Sequence, residues 1–194
     1  MANSDNLNAW IERWRGGDER AAELIYNQFR EQTYRLAYGL LGQREDAEEA
    51  AQDALTYALV NIEKYEALKS GFGTWLHTIT VSRCRDKRRR KLLPGFSLTA
   101  WLQKGQDLAD GGPGPEVMTA VAQTHTALWQ AIQQLKPHYR EAIILRYWAG
   151  HTYREMAEIL HCPIPTAQSR VRLAYDLLKA ELTEPEFAFL EDSA

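Results

Sequence analysis

The sequence predicts an all-α protein: two small helical domains joined by a Gly/Pro-rich linker, the second containing a helix-turn-helix. Three observations lead there. Apolar residues recur at helical spacing, with no convincing alternation of the kind a strand requires. The periodicity fades from about Leu92 to Pro115, where DLADGGPGPE has the composition of a linker. The chain of 194 residues is long enough for one domain or two small ones.

The elements follow in order. Leu7, Trp10, Ile11 and Trp14 share one helical face before Gly16-Gly17 stops the helix. Asp18 is placed to cap a second helix carrying Ile25, Phe29, Leu36 and Leu40 as far as Gly42. A third runs from about Glu45 to Tyr65, with an inner stripe of Ala47, Ala50, Ala51, Ala54, Ala58 and Ile62, small side chains that permit close helix packing. Ser70-Gly71-Phe72-Gly73 interrupts, and a fourth helix places Phe72, Trp75, Leu76 and Ile79 on one side. LTAWL predicts a short helix inside the linker. Helices are expected near 117–135, 137–149, 152–160 and 164–182. The reading is of two all-helical domains on a string: residues 1–91, a linker 92–116, residues 117–182, and an acidic tail 183–194.

Composition excludes several function classes. With 45% hydrophobic and 25% charged residues the chain can bury a core. It contains no run of about 18 apolar residues, and MANSDNLNAW lacks the segments of a signal peptide, so a cytoplasmic protein without membrane insertion is expected. Cys84 and Cys162 have no second cysteine or suitably spaced histidine to complete a metal site. Both read as structural thiols, and no metal or cofactor is expected.

Charge is informative once divided along the chain. Residues 1–70 carry 8 Lys/Arg against 13 Asp/Glu, residues 71–91 carry 7 against 1, and residues 92–194 carry 8 against 12. The overall charge of −3 thus conceals a positive patch suited to phosphates. Seven basic residues fall within Arg83–Lys91, behind the Trp-bearing segment FGTWLHTITV. A helix C-terminus favours positive charge, but this run exceeds that need.

In HTYREMAEILHCPIPTAQSRVRLAYDLLK, Thr152 and Glu155 can form a capping box, Met156, Ala157, Ile159 and Leu160 face inward, and His161-Cys162-Pro163 makes a turn. Pro163 and Pro165 suit the start of the next helix. There, Ala167, Val171, Ala174 and Leu178 form the buried stripe. Pro165, Ser169, Arg172 and Asp176 lie opposite, flanked by Thr166, Gln168 and Arg170. Ser, Gln and Arg can read base edges or hold phosphates when such a helix enters the major groove. Arg172 is the best base-edge donor, whereas Arg170 and Thr166 are better placed for phosphate.

These segments, taken in sequence, resemble the sigma-70 family of transcription initiation factors, specifically the extracytoplasmic-function (ECF) type with two of the conserved sigma domains. REDAEEAAQDALTYAL resembles the family's core-binding helix, FGTWLHTITVSRCRDKRRR its minus-10 segment, and LKPHYREAIILRYWAGHTYREMAEIL with the following Ser169-Arg170 its minus-35 domain. The match covers roughly residues 8–91 and 117–182. The resemblance implies that Asp46, Glu49, Gln52 and Asp53 meet core RNA polymerase, and that the loop Lys69–Gly73 sits where a flipped base is captured. It implies contact with promoter DNA by Ser82, Arg83, Arg85, Lys87, Arg88, Arg89 and Arg90 in the first domain. In the second it implies contact by Thr166, Gln168, Ser169, Arg170 and Arg172. An anti-sigma factor is an implied partner. Trp75 matches the family's Trp, although its spacing with Leu76 and Ile79 favours packing.

The sequence departs from the family at Ser82, usually Asn, at Pro165, usually Gly, and at Gln168, Leu173 and Tyr175, commonly basic. Fewer positive charges imply fewer phosphate contacts and a smaller salt dependence at that helix. Two other classes compete with this reading. A helix-turn-helix repressor would explain the second half but not the acidic helix, Trp helix and basic run. A DNA-acting enzyme would need clustered metal-binding carboxylates or an activated nucleophile, which the dispersed acids and the periodic Tyr139 and Tyr147 do not supply.

Overall fold

The computed structural model describes residues 4–92 and 120–183. The helix expected at LTAWL and the acidic tail from residue 184 onward lie outside the described residues. Helix α1 spans Ser4–Arg15 and α2 Glu19–Leu41. Asp18 caps α2 by accepting the Arg20 N–H at 3.1 Å, and Arg13 holds the same carboxylate through Nε and Nη2 at 2.9 and 2.6 Å. The helix ends where Gly42 takes φ 72°, a left-handed conformation in which its N–H returns to Tyr38 O.

Helix α3, Arg44–Val60, buries every alanine of the predicted stripe. It stops five residues before Tyr65 because the Asn61 side-chain amide donates to Tyr57 O and the chain tightens into a 3-10 turn over Ile62–Lys64. Ile62 and Tyr65 stay buried, so the apolar spacing outlives the helix. Helix α4, Phe72–Leu92, completes the first half. Trp75 packs against Tyr65 and Phe72, with ring centroids 5.4 and 5.6 Å away. It is a packing residue here.

The second half contains α5 (Ala120–Gln134), α6 (Pro137–Ile143), α7 (Tyr153–Leu160) and α8 (Ile164–Glu181). The helix expected over 137–149 widens into a π segment at Ile144–Trp148. Thr152 forms the predicted capping box with Glu155. His161 closes α7 at φ 52°, a left-handed residue without glycine's freedom, and Pro165 lies in the first turn of α8. Ala167, Val171, Ala174 and Leu178 are all buried.

Two apolar cores result. One lies wholly in the first half, around Ile11, Ile25, Phe29, Leu55, Phe72 and Leu76. The other crosses the molecule: Leu36, Leu40, Ala47, Ala51, Val81 and Cys84 join Ile132, Ile144, Leu145, Met156 and Leu178. The two halves are therefore packed together rather than held apart on a string. Burying one leucine or isoleucine in such a seam contributes roughly 1.5–3 kcal/mol. Gly39 allows the close approach, since a Cβ there would lie 3.1 Å from Ile144 side-chain carbons.

Candidate functional site

The site is organised by α4, which presents different side chains to α3, α7, α6 and solvent as it winds. Its first turns face the second half. Thr74 Oγ1 donates to Glu155 Oε1 at 3.3 Å, and His77 Nδ1 lies 2.6 Å from His151 Nε2. Both histidines are buried, and His77 Nε2 has no hydrogen-bond partner among the described residues. Burial, reinforced by His151, pushes the His77 pKa down to about 3. Burial also lowers that of His151, although Glu155 opposes the effect.

The basic run then distributes itself over three surfaces. Arg85 bonds Glu141 through Nε at 3.1 Å and Nη2 at 2.7 Å, and Arg88 bonds the same carboxylate. Glu141 is only 2% exposed. Burial works to raise its pKa, but the Arg85 and Arg88 charges outweigh that and hold it below the ordinary range. Arg140, beside it, gathers the carbonyls of Ile132, Gln133 and Leu135 at the end of α5 and reaches Leu40 O of α2 at 3.1 Å.

On the α3 side, Lys87 pairs with Asp46 at 3.6 Å and with Glu49, while Lys91 bonds Asp46 and Gln43. Arg83 lies over the Tyr57 ring, 4.7 Å from its centroid. Ser82, Arg89 and Arg90 face solvent, and Arg89 pairs with Asp86 at 3.0 Å. Four proposed DNA contacts, Ser82, Arg83, Arg89 and Arg90, are thus separated from the Arg85–Arg88 pair that the second half engages.

The predicted polymerase-facing residues occupy successive turns of α3. Glu49, Gln52 and Asp53 are exposed, and Asp46 is half-buried by its lysines. The loop Lys69–Gly73 is exposed at Lys69 and Gly71, with Lys69 paired to Glu66 at 2.7 Å. On α8, Gln168 and Arg172 are exposed, while Thr166, Ser169 and Arg170 are half-buried. Ser169 Oγ donates back to Thr166 O at 3.0 Å.

Sequence reasoning missed Glu141, His77 and His151. Glu141 did leave a signal, as the acid inside the apolar run EAIILRYW. His77, between apolar neighbours in TWLHTITV, left a weaker one.

Comparison with known proteins divides along the same halves. The family described as Sigma-70 region 2 matches residues 25–92, and Sigma-70, region 4 matches residues 125–178. The ECF RNA polymerase sigma factor SigW of Bacillus subtilis is 29% identical over 90% of this chain and 95% of its own length. SigM of Mycobacterium tuberculosis, another ECF RNA polymerase sigma factor, is 31% identical over 79% of this chain and 73% of its own. Among solved structures, the sigma factor RpoE with the anti-sigma factor NepR from Bartonella quintana aligns with a TM-score of 0.62 at 23% identity, covering 81% of this chain and 94% of that one. CnrH in complex with the cytosolic domain of CnrY gives the same TM-score at 20% identity, covering 92% and 96%.

Proposed function

Because the chain belongs to the sigma-70 family, as an ECF-type factor that directs transcription initiation, we propose that its interfaces are the α3 polar face, the α4 basic run and the outward face of α8. The single observation that carries this division is that Glu49, Gln52 and Asp53 of α3, Ser82, Arg89 and Arg90 of α4, and Gln168 and Arg172 of α8 are all exposed on one helical scaffold.

Glu49, Gln52 and Asp53, with Asp46, supply the docking face for core RNA polymerase. Ser82 and the Arg83–Lys91 run hold the promoter strand near its minus-10 element. Positive side chains on neighbouring helical turns suit phosphates spaced along a backbone, and each contact adds about 0.7 to the logarithmic salt slope on a single strand. On α8, Arg172 reads a minus-35 base edge, while Thr166, Ser169 and Arg170 set the helix against the backbone. Gln168, exposed beside them, offers an amide for adenine. The protein works by binding and placement, without chemistry of its own. No described helix is long and apolar enough to cross a membrane, and the work is done where polymerase is, in the cytoplasm. Relatives of the same fold were solved with an anti-sigma factor or a cytosolic partner domain, and an inhibitory protein of that class completes the proposal.

Run-off transcription with purified core polymerase tests the reading. Asp53→Lys should weaken competition for core, and Arg90→Ala should lower the salt slope of promoter binding. Normal competition by Asp53→Lys would remove the α3 face from the proposal.

A further inference from the structure

We propose that Tyr57 and Lys64 complete a phosphate-binding site with Arg83, in which the tyrosine ring positions two cations for the backbone of the unpaired promoter strand. The inference rests on the reading of α4 as a strand-binding helix and adds to it two residues from outside that helix.

The side of α4 that faces α3 meets its partners turn by turn. Lys91 and Lys87 find the carboxylates of Asp46 and Glu49, which cancel their charge. One turn nearer the start of α4, the Arg83 guanidinium finds a ring instead, 4.7 Å from the Tyr57 centroid. Attraction to the negative face of a ring orients a cation without neutralising it. Arg83 is therefore held in place with its charge intact.

Lys64 reaches the same ring because α3 ends early. The Asn61 side-chain amide donates to Tyr57 O at 2.9 Å, and the 3-10 turn over Ile62–Lys64 follows. The Lys64 ammonium then lies 5.5 Å from the Tyr57 centroid and 3.5 Å from its hydroxyl. In a continuous helix the same seven residues would advance about 10.5 Å along the axis, so the turn shortens the reach. The ring itself packs against the core around Ile25, Leu55 and Phe72, which fixes it independently of the cations.

Two like charges gathered on one ring repel each other unless an anion joins them. Among the described residues neither Arg83 nor Lys64 forms an ion pair, and Arg83 Nε is buried without a hydrogen-bond partner. Asp53, one turn before Tyr57 on α3, is exposed and pairs with neither cation. The guanidinium thus commits no donor to the chain, which leaves its fork for a ligand oxygen.

The surroundings favour a phosphate backbone over a protein carboxylate. Arg90 is exposed, lies within about 20° of Arg83 around α4, and sits about 10.5 Å further along it. Cations repeated along one line match a strand whose charge also repeats along its length, whereas a carboxylate needs one of them. The site is built entirely from the first half. Arg83 is about 140–160° around α4 from Arg88 and Arg85, the arginines that meet Glu141.

Fluorescence anisotropy tests this with the full-length chain and a labelled single-stranded oligodeoxynucleotide of mixed sequence, titrated at several salt concentrations. Arg83→Gln and Lys64→Gln should each lower the logarithmic salt slope by about 0.7. Tyr57→Leu alters no charge but should weaken binding about threefold, whereas Tyr57→Phe, which keeps the ring face, should bind as wild type does. In a chain carrying both glutamines, Tyr57→Leu should have no further effect, a result that a merely structural role for the ring would not give. Lys64→Gln, at an exposed position, decides the matter if Tyr57→Leu fails to fold. Unchanged slopes in both glutamine chains, or Tyr57→Phe as weak as Tyr57→Leu, overturn the proposal. So does weaker competition for core polymerase by the glutamine chains with unchanged DNA slopes, which would assign the cations to an acidic surface of the polymerase. Arg90→Ala separates the two readings. A slope lowered by Arg90→Ala but by neither glutamine removes this site alone, and no change in any of the three removes the strand-binding helix with it.

Discussion

Lowering the pH from 7 to 5.5 should loosen the seam at His77. This side chain is buried at 6% exposure, its Nδ1 is 2.6 Å from His151 Nε2, and its Nε2 has no hydrogen-bond partner among the described residues. The groups facing it are His151 and Glu155 on the other half, and Thr74 on its own helix. Its pKa is pushed to about 3 in the packed state against the ordinary histidine value of 6.5, so the released state binds the proton and the packed state excludes it. Stability is unaffected well above pH 6.5 and falls below it, by about 1.4 kcal/mol per pH unit for one excluded proton. By pH 5.5 the loss from His77 is roughly 1.3 kcal/mol. His151, also lowered, acts with the same sign. Glu141 and Glu155 are held below their usual values, so they contribute above that range and are lost only at lower pH, outside this window. Urea unfolding at both pH values, on wild type and His77→Gln, measures the difference. The glutamine chain should lose about one proton's worth of slope. An identical pH slope in both chains would refute the argument that His77 is held neutral by the seam.

Thr152→Ala removes the α7 capping box and should cost about 1 kcal/mol in chemical denaturation, more than the same change at an exposed mid-helix site. Burial raises the Cys84 thiol to about 12, so maleimide on the native protein should label Cys162 and reach Cys84 only in denaturant, as peptide mass spectrometry would show. Binding-site selection from a random-sequence pool should lose preference at one base pair with Arg172→Ala, whose side chain is exposed. Arg170→Ala, half-buried, should weaken all sequences about equally. Loss of preference confined to Arg170→Ala would reverse the two roles.

The helices and their inward faces were legible in the sequence because each depends on neighbours within a few turns. The α3 alanines, the α8 stripe, the Asp18 cap and the Thr152–Glu155 box are set by spacing and local hydrogen bonds, and all appear where spacing puts them. The end of α3 was less legible, since one Asn61 hydrogen bond decides it while the apolar pattern continues into Ile62 and Tyr65. The candidate contact residues could be nominated from charge and helical face, but their partners could not. A basic run of seven looks like one surface in sequence; in space 100° per residue sends Arg85 and Arg88 to Glu141, Lys87 and Lys91 to Asp46, and Arg89 and Arg90 to solvent. Glu141, His77 and His151 acquire their properties from residues 53 to 74 positions away, through pairings that only the packing of one half on the other creates. Sequence alone determined which segments are helices and which face of each is apolar. Tertiary structure decided which charges meet, because a charge pair is fixed by distance in space and desolvation, and neither is a local property of the chain.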